Sequence, residues 1–234
     1  MRITLINPNA SRAMTAKIAA AAREAAAPDV EIVAVCADNG PAAIESHYDE
    51  AHASVAIAEL ILADQAAGGS DGYVIACFGD PGVDAARELV DVPVIGIAEA
   101  AMHVAVLSGR SFGIVTTLSR TLGRARDLLL RHGFERACVA AYGTGIPVLD
   151  LEDATGAALD EIAGWCERAV HHDQADVIVL GCAGMADLCR RLTDRIGVPV
   201  VDGVAAAVGL VTAMGRMGVG TSKRDEYARP PRLA

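Results

Sequence analysis

The sequence predicts an α/β protein with two similar lobes, each an open, Rossmann-like parallel sheet, related by a pseudo-twofold axis with an active-site cleft between them. Short apolar segments alternate with helical segments along all 234 residues, which is typical of parallel sheets covered by helices. The chain is 53% apolar, enough to fill a substantial core. Its second half also repeats motifs of the first half in the same order.

Eight runs of four or five mostly aliphatic residues predict the strands. In chain order they are 3–6, 31–35, 72–76, 94–97, 112–115, 137–140, 177–180 and 198–201. The clearest predicted helices lie between them, at 13–27, 49–67, 120–132 and 154–170. Pro28, the pair Gly68 and Gly69, and Gly133 follow three of these helical segments, and such residues commonly end helices.

The internal repeat divides the chain into lobes. DGYVIACFGDPG at 71–82 is echoed by ADVIVLGCAGMA at 175–186, and VPVIGIAEAAMHVAV from Val92 by VPVVDGVAAAVGLV from Val198. ITLINPNAS from Ile3 is echoed more weakly by IVTTLSR from Ile114. The offsets are 105 residues (77 to 182), 106 (92 to 198) and 111 (3 to 114). We therefore expect one lobe to hold residues 1–97 and about 205–234, and the other residues 98–204.

The repeat places Cys77 and Cys182 at the carboxyl ends of equivalent strands. Open parallel sheets bind ligands just beyond those ends, so one thiol is expected on each side of the cleft. Inverting a stereocentre by deprotonation needs a base on one face and an acid on the other. Two opposed thiols therefore predict proton exchange at a carbon acid, whereas Cys36, Cys138, Cys166 and Cys189 are interpreted as packing residues.

The turn after Cys77 predicts how that thiol is activated. Asp80 followed by Pro81 is typical of a helix N-cap and first helical residue. The N–H groups of Phe78, Gly79 and Asp80 are then expected to point into the cleft and to stabilise negative charge. The same helix terminus is expected to lower the pKa of the thiol toward neutrality.

Composition and charge exclude several classes of function. A formal net charge of −10 argues against a nucleic-acid surface. No apolar run is long enough to span a membrane and no leader is recognised, so we expect a cytoplasmic protein with reduced cysteines. The six cysteines form no C-x-x-C pair, and neither Lys17 nor Lys223 suits a Schiff base. We expect no metal and no cofactor.

Several motifs resemble those of the hydantoin and allantoin racemases of the aspartate/glutamate racemase superfamily. They are INPNAS at 6–11, GPAAIESHYDEA at 40–51, VIACFGDPG at 74–82, PVIGIAEAA at 93–101, VLGCAGM at 179–185 and PVVDGVAAAV at 199–208. The resemblance extends from residue 3 to about residue 223. It implies a cofactor-independent racemase of 5-monosubstituted hydantoins, working as a homo-oligomer on a small-molecule substrate.

The resemblance also implies which residues form the site. Cys77 and Cys182 match the catalytic cysteines of the family. The residues that the resemblance places around the substrate ring are Asn7, Ser11, Ile44, Phe78, Gly79, Thr116, Thr117, Ala183 and Gly184. The helix start predicted after Cys77 adds Asp80 to the residues expected to bind the substrate. His47 and His52, with Asp49 and Glu50 between them, are instead interpreted as a solvated helix start.

The sequence is also compatible with other functions. Allantoin is a hydantoin with a ureido group at carbon 5, and VTTLSRTL at 115–122, IPVLDLED at 146–153 and VDGV at 201–204 look closer to allantoin racemase. An amino-acid racemase, a decarboxylase or a cysteine hydrolase or lyase is a further alternative, although arylmalonate decarboxylases use a single cysteine. A non-catalytic binding module would need neither thiol. The tail from residue 222 to 234 is expected to form an extended arm or a partly ordered end.

Overall fold

Parallel strands form two separate four-stranded sheets in the computed structural model, which describes residues 1–151, 156–231 and 233. The first sheet contains β1 (Arg2–Asn7), β2 (Glu31–Cys36), β3 (Gly72–Ile75) and β4 (Val94–Gly96) in the order β2-β1-β3-β4. The second contains β5 (Phe112–Thr116), β6 (Cys138–Gly143), β7 (Val177–Gly181) and β8 (Val200–Val201) in the order β6-β5-β7-β8. The two orders are equivalent strand by strand, which confirms the α/β fold with two similar parallel sheets.

Helices cover both faces of each sheet. They are α1 (Arg12–Ala25), α2 (His47–Ala66), α3 (Val83–Leu89), α4 (Ile97–Ser108), α5 (Leu122–His132), α6 (Gly156–His171), α7 (Cys189–Ile196) and α8 (Gly203–Arg216). Short 3₁₀ turns lie at Ser119–Thr121, Leu149–Leu151, Ala183–Leu188 and Asp225–Tyr227. Of the described part of the chain, no helix is both long and apolar enough to span a bilayer.

All eight predicted strands are present, with shifted ends. The eighth begins at Val200 rather than at 198, after Pro199, which has no N–H to donate to a ladder. The predicted start of a helix at Ala154 lies outside the described residues, and α6 is described from Gly156. The helix expected at Asp80 begins only at Val83, with Gly82 as its N-cap at φ 66°.

Two helices cross from one sheet to the other. The helix α4 follows β4, but its residues Ala98, Ala101 and Met102 pack in one cluster with Phe112 and Val177 of the second sheet. In the reciprocal way α8 follows β8, but Val204, Ala207, Val208 and Val211 pack with Ile3, Leu5 and Val74 of the first sheet. Each sheet thus receives one helix from the other half of the chain. The lobe boundaries at 97/98 and about 204/205 remain a prediction.

The described tail packs against the first lobe. Lys223 donates from Nζ to the carbonyl oxygen of Arg87, and the Tyr227 hydroxyl donates to Asp84 Oδ1 at 2.9 Å. Both partners belong to α3, so residues 223–227 are held along that helix. The end of the tail at residues 232 and 234 lies outside the described residues.

Candidate active site

A pocket opens where the carboxyl ends of both sheets meet. Its lining residues come from strand ends and from helices of both halves: Asn7, Asn9, Met14, Ile18, Ile44, Glu50, Ala76, Cys77, Phe78, Gly79, Thr116, Thr117, Thr121, Arg124, Ala125, Val148, Gly181, Cys182, Ala183 and Gly184. Ten of the twelve residues predicted from the sequence are among them. Ser11 and Asp80 are not.

The two cysteines occupy equivalent positions in this pocket. Cys77 lies two residues beyond β3 and Cys182 one residue beyond β7, and β3 and β7 hold the same place in the two sheets. Both thiols are free and half-buried. A backbone turn follows each one, with the N–H of Asp80 donating to the Cys77 carbonyl at 3.0 Å and the N–H of Met185 to the Cys182 carbonyl at 3.1 Å.

Burial makes both thiols weaker acids than an ordinary cysteine. Burial, with smaller contributions from the nearby charges of Cys182, Asp80 and Glu50, raises the pKa of Cys77 to about 12. It raises the pKa of Cys182 to about 11. Hydrogen bonds from the backbone N–H groups of Gly79 and Gly184 act in the opposite direction. The prediction of a lowered thiol pKa is therefore wrong for this cleft, because desolvation outweighs the backbone donors.

Asp80 does not line the pocket, and it does not cap its own helix. Its carboxylate turns to the start of α4, where Oδ1 accepts from the N–H of Ala98 at 2.9 Å and Oδ2 from the N–H of Glu99 at 2.8 Å. The N–H of Asp80 is used in the turn at Cys77 and so is not directed into the cleft. The expected role of Asp80 in substrate binding is wrong, because the free N–H groups of α4 bind its carboxylate instead.

The environment of Asp80 is unusual for a carboxyl group. The residue has φ 46°, in the left-handed region, and is only 5% exposed. Burial and the neighbouring charge of Glu99 raise its pKa to about 8, against the two N–H bonds and the charge of Arg124, which favour the ionised form.

Asn7 and Ser11 hold the turn after β1. The Asn7 side-chain amide donates to Asn9 Oδ1 and to Thr15 Oγ1, both at 2.8 Å. Ser11 caps α1, its hydroxyl accepting from the N–H of Met14 at 3.0 Å. Asn7 reaches the pocket, whereas Ser11 serves the helix start, which is why it does not line the cavity.

Thr116 and Thr117 form the equivalent edge of the second sheet. Thr116 Oγ1 donates to the carbonyl of Gly181 at 2.8 Å and so ties β5 to β7 beside Cys182. The carbonyl of Thr117 accepts from the N–H of Gly145 at 2.8 Å. Both threonines are buried, and both border the pocket as predicted.

Two charged residues of the pocket were missed by the sequence analysis. Glu50 was interpreted as part of a solvated helix start, yet its Oε2 lies 3.8 Å from Arg124 Nε inside the pocket wall. Arg124 belongs to α5, in the other half of the chain. Glu50 lies within the quoted GPAAIESHYDEA motif, so that motif was its only signal. Arg124 has no local signal, since only the packing of one lobe on the other brings it here.

The histidines near Glu50 contribute no metal-binding cluster. His47 Nδ1 lies 3.5 Å from Glu50 Oε2, and the ring of His52 packs on Tyr48 at 4.5 Å between centroids. Among the described residues, no three His, Cys, Asp or Glu side chains are placed to hold a metal ion together.

Comparison with known proteins finds similar proteins over nearly the whole chain. The model of the Asp/Glu/Hydantoin racemase family matches residues 3–211. A hydantoin racemase of Rhizobium meliloti is 42% identical over 230 residues, covering 98% of this chain and 95% of the relative. The solved structure of an allantoin racemase from Klebsiella pneumoniae is 52% identical, with a TM-score of 0.95, over 98% of this chain and 94% of that one.

A second solved structure, an allantoin racemase from Pseudomonas fluorescens, is 38% identical with a TM-score of 0.94, over 99% of this chain and 97% of that one. The match thus extends over nearly the whole chain in sequence and in structure. The chain belongs to the Asp/Glu/Hydantoin racemase family.

Proposed function

We propose that the protein racemises 5-monosubstituted hydantoins at carbon 5 by proton exchange between Cys77 and Cys182. The observation that carries this proposal is the placement of two free thiols at equivalent strand ends around one pocket. Support also comes from relatives named hydantoin racemase at about 40% identity over the full chain.

The chemistry needs one thiolate and one thiol at a time. The thiolate removes the proton from carbon 5, leaving a planar carbanion whose charge spreads onto the adjacent carbonyl oxygen. The opposing thiol then delivers its own proton to the other face, so the two sulfurs exchange protonation states. The high pKa of each buried thiol makes its thiolate a strong base once formed, which suits a weak carbon acid.

Backbone and side-chain groups around the thiols would hold the ring. We propose that the N–H groups after each cysteine, at Phe78 and Gly79 on one side and Ala183 and Gly184 on the other, bind its oxygens as charge develops. The remaining pocket residues proposed to contact the ring are Asn7, Ile44, Thr116 and Thr117.

Allantoin is a second candidate substrate of the same site. The specific observation in its favour is the 52% identity to an allantoin racemase structure, above the identities to the hydantoin racemases. The pocket wall also carries Glu50, Thr121 and Arg124, whose polar groups could bond a ureido substituent at carbon 5.

We further propose that the reaction needs no metal or cofactor and that the protein works in the cytoplasm as a homo-oligomer. Six cysteines that form no disulfide suit a reducing compartment. The net charge of −10 does not favour nucleic acid as a partner. Association between subunits rests on the family resemblance alone.

The test follows optical rotation of single enantiomers of several 5-substituted hydantoins and of allantoin, with a chelator and a reductant present. We expect rotation to decay to zero at constant mass, and the ranking of rates to identify the preferred substituent. In D₂O the first product molecules should carry deuterium at carbon 5 while the remaining substrate keeps its hydrogen, as two-base exchange requires.

Separate Cys77→Ser and Cys182→Ser variants distinguish the alternatives. Each should lose racemisation by about 10²-fold or more, because a serine hydroxyl is a far weaker acid than a thiol. Loss in only one variant would indicate a one-thiol hydrolase, lyase or decarboxylase. Full activity of both would contradict the proposed mechanism, and flat traces on every hydantoin would contradict the substrate class.

A further inference from the structure

Two cations occupy equivalent places in the two halves of the molecule. Lys17 lies on α1, the helix after β1, and Arg124 lies on α5, the helix after β5. The strands β1 and β5 hold the same position in their sheets. The spacing of 107 residues (17 to 124) is about one helical turn shorter than the 111-residue offset of this segment of the repeat.

Arg124 reaches the turn that follows Cys77, which belongs to the other half of the chain. Its Nε donates to the carbonyl of Gly79 at 2.9 Å. A Cβ atom on Gly79 would lie 2.7 Å from Glu50 Oε1 and 3.8 Å from Arg124 Cγ. The turn is therefore closely covered by this pair of side chains.

Lys17 reaches the turn that follows Cys182 from the first half of the chain. Its Nζ donates to the carbonyl of Leu151 at 2.8 Å and approaches the carbonyl of Gly184 at 3.5 Å. A Cβ atom on Gly184 would lie 2.9 Å from Met14 Sδ and 3.4 Å from Leu151 Cβ. The turn after Cys182 is thus covered by α1 of the first half.

The two glycines share one further property. Each is the second residue after its cysteine, and its backbone N–H lowers the pKa of that thiol, against the larger effect of burial. A cation that fixes the carbonyl of this glycine limits rotation of the glycine backbone. It thereby limits how far the N–H can turn away from the sulfur.

We propose that Lys17 and Arg124 are matched positioning residues, each reaching across the cleft to hold the glycine that follows the cysteine of the other half. Closure of the two halves and the orientation of each thiol's N–H donor are then one event. Each N–H donor is oriented only by a contact from the other half. Neither half alone therefore holds its thiol site in the active arrangement.

The surrounding charges are unequal. The charge of Lys17 favours the thiolate of Cys182 and that of Glu45 opposes it. On the other side, Glu50 and Asp80 both oppose the thiolate of Cys77, and Glu50 lies next to Arg124. Removal of either cation is therefore expected to affect the cysteine of the opposite half selectively.

The test measures the alkylation rate of each cysteine by iodoacetamide in the full-length protein, resolved by peptide mass spectrometry. In Lys17→Met, alkylation of Cys182 should slow by about threefold to tenfold, while that of Cys77 stays within about twofold. In Arg124→Gln, alkylation of Cys77 should slow by the same factor while that of Cys182 stays within about twofold. Lys17→Arg and Arg124→Lys keep a donor and should recover most of the rate.

Matched controls come from the same helices. Arg23→Met on α1 and Arg126→Gln on α5 remove exposed cations and should leave both rates unchanged. If Lys17→Met does not fold, as judged by circular dichroism, Lys17→Gln replaces it. Equal slowing of alkylation at both cysteines would show that the variant loosens the whole structure. Faster alkylation would show that the cation only shields the thiol from the reagent. Either result, or no change, would overturn the proposal.

The role of these cations in catalysis rests on the proposed function, but the alkylation experiment does not. If the wild type showed no racemisation, the proposed function would be refuted, but the selective effect on the alkylation rates could still hold. Conversely, racemisation with non-selective thiol effects would refute only the positioning role. In an active enzyme assayed with a hydantoin that lacks a ureido group, both variants should lower kcat more than they raise KM.

Discussion

At the residue scale, the two cleft cysteines are partly accessible, yet their thiolates are poorly solvated. Both are half-buried, and burial raises both pKa values well above that of a free thiol. Only a small fraction is ionised at neutral pH, but each thiolate that forms is basic and has a backbone donor next to it. A carbon acid bound between them would meet a strong base on one face and a protonated thiol on the other.

Asp80 makes folding depend on pH. Its pKa of about 8 in the folded protein lies above the usual 3.8, so folding takes up a proton at pH values between the two. The favourable contribution is complete below the unfolded pKa and is lost as the pH rises through about 8. Between about pH 7 and about pH 8.5 we expect the free energy of unfolding to fall by about 1 kcal/mol from this group.

Urea unfolding of the wild type and of Asp80→Asn at both pH values measures this loss. The asparagine cannot ionise, so the variant should lack the Asp80 part of the decline, whatever its absolute stability. Burial lowers the pKa of His132, which keeps that residue neutral across the window. Burial, rather than the charge of Asp80, is the main cause that raises the pKa of Cys77 to about 12, so this thiol stays protonated across the window in both proteins. Identical slopes in the two proteins would mean that the carboxyl stays ionised throughout.

At the element scale, the start of α4 and the turn at Cys77 depend on one another. Gly96 precedes α4 with ordinary backbone angles, φ −83° and ψ 152°, so its backbone does not require glycine. A Cβ atom there would lie 2.2 Å from Asp80 Cγ and Oδ1. Gly96→Ala should therefore expel the Asp80 carboxylate from the helix start and remove two buried hydrogen bonds.

We expect Gly96→Ala to cost about 2–3 kcal/mol of stability and to reduce racemase activity, because the displaced residue lies in the turn after Cys77. Gly164→Ala on α6 is the matched control. Apart from the adjacent residues and the backbone of its own helix, no atom lies within 4 Å of a Cβ at that position, so alanine should stabilise the helix by about 0.5–1 kcal/mol. Thermal unfolding measures both, and a neutral Gly96→Ala would contradict the steric argument.

The sequence predicts elements better than it predicts their junctions. Apolar runs and stop signals gave all eight strands, because burial on both faces requires continuous aliphatic residues. The Asp80-Pro81 signal was misleading, since a carboxylate binds whichever free N–H groups lie nearest in space. Those belong to α4, about eighteen residues further along the chain. Arg124 was missed for the same reason, as its contact with Gly79 exists only after the halves pack together.

At the scale of the whole molecule, the exchange of α4 and α8 joins the two sheets. Val211 of α8 lies in the core of the first sheet, although it follows the last strand of the second. If α8 left the first sheet, or α4 the second, apolar side chains of that sheet would become exposed to water. Coupling of this kind predicts that both sheets unfold together in a single transition.

Val211→Ala tests that coupling, because the only tryptophan of the chain, Trp165, lies in α6 on the second sheet. Val211 is fully buried, so replacing it with alanine should lower the free energy of unfolding by about 2 kcal/mol. The denaturant midpoint should fall equally by tryptophan fluorescence and by far-ultraviolet circular dichroism. Val55→Ala, on the exposed face of α2, should shift neither by more than about 0.5 kcal/mol. An unshifted fluorescence midpoint in Val211→Ala would show that the second sheet unfolds independently, and the cleft would then join two separable lobes.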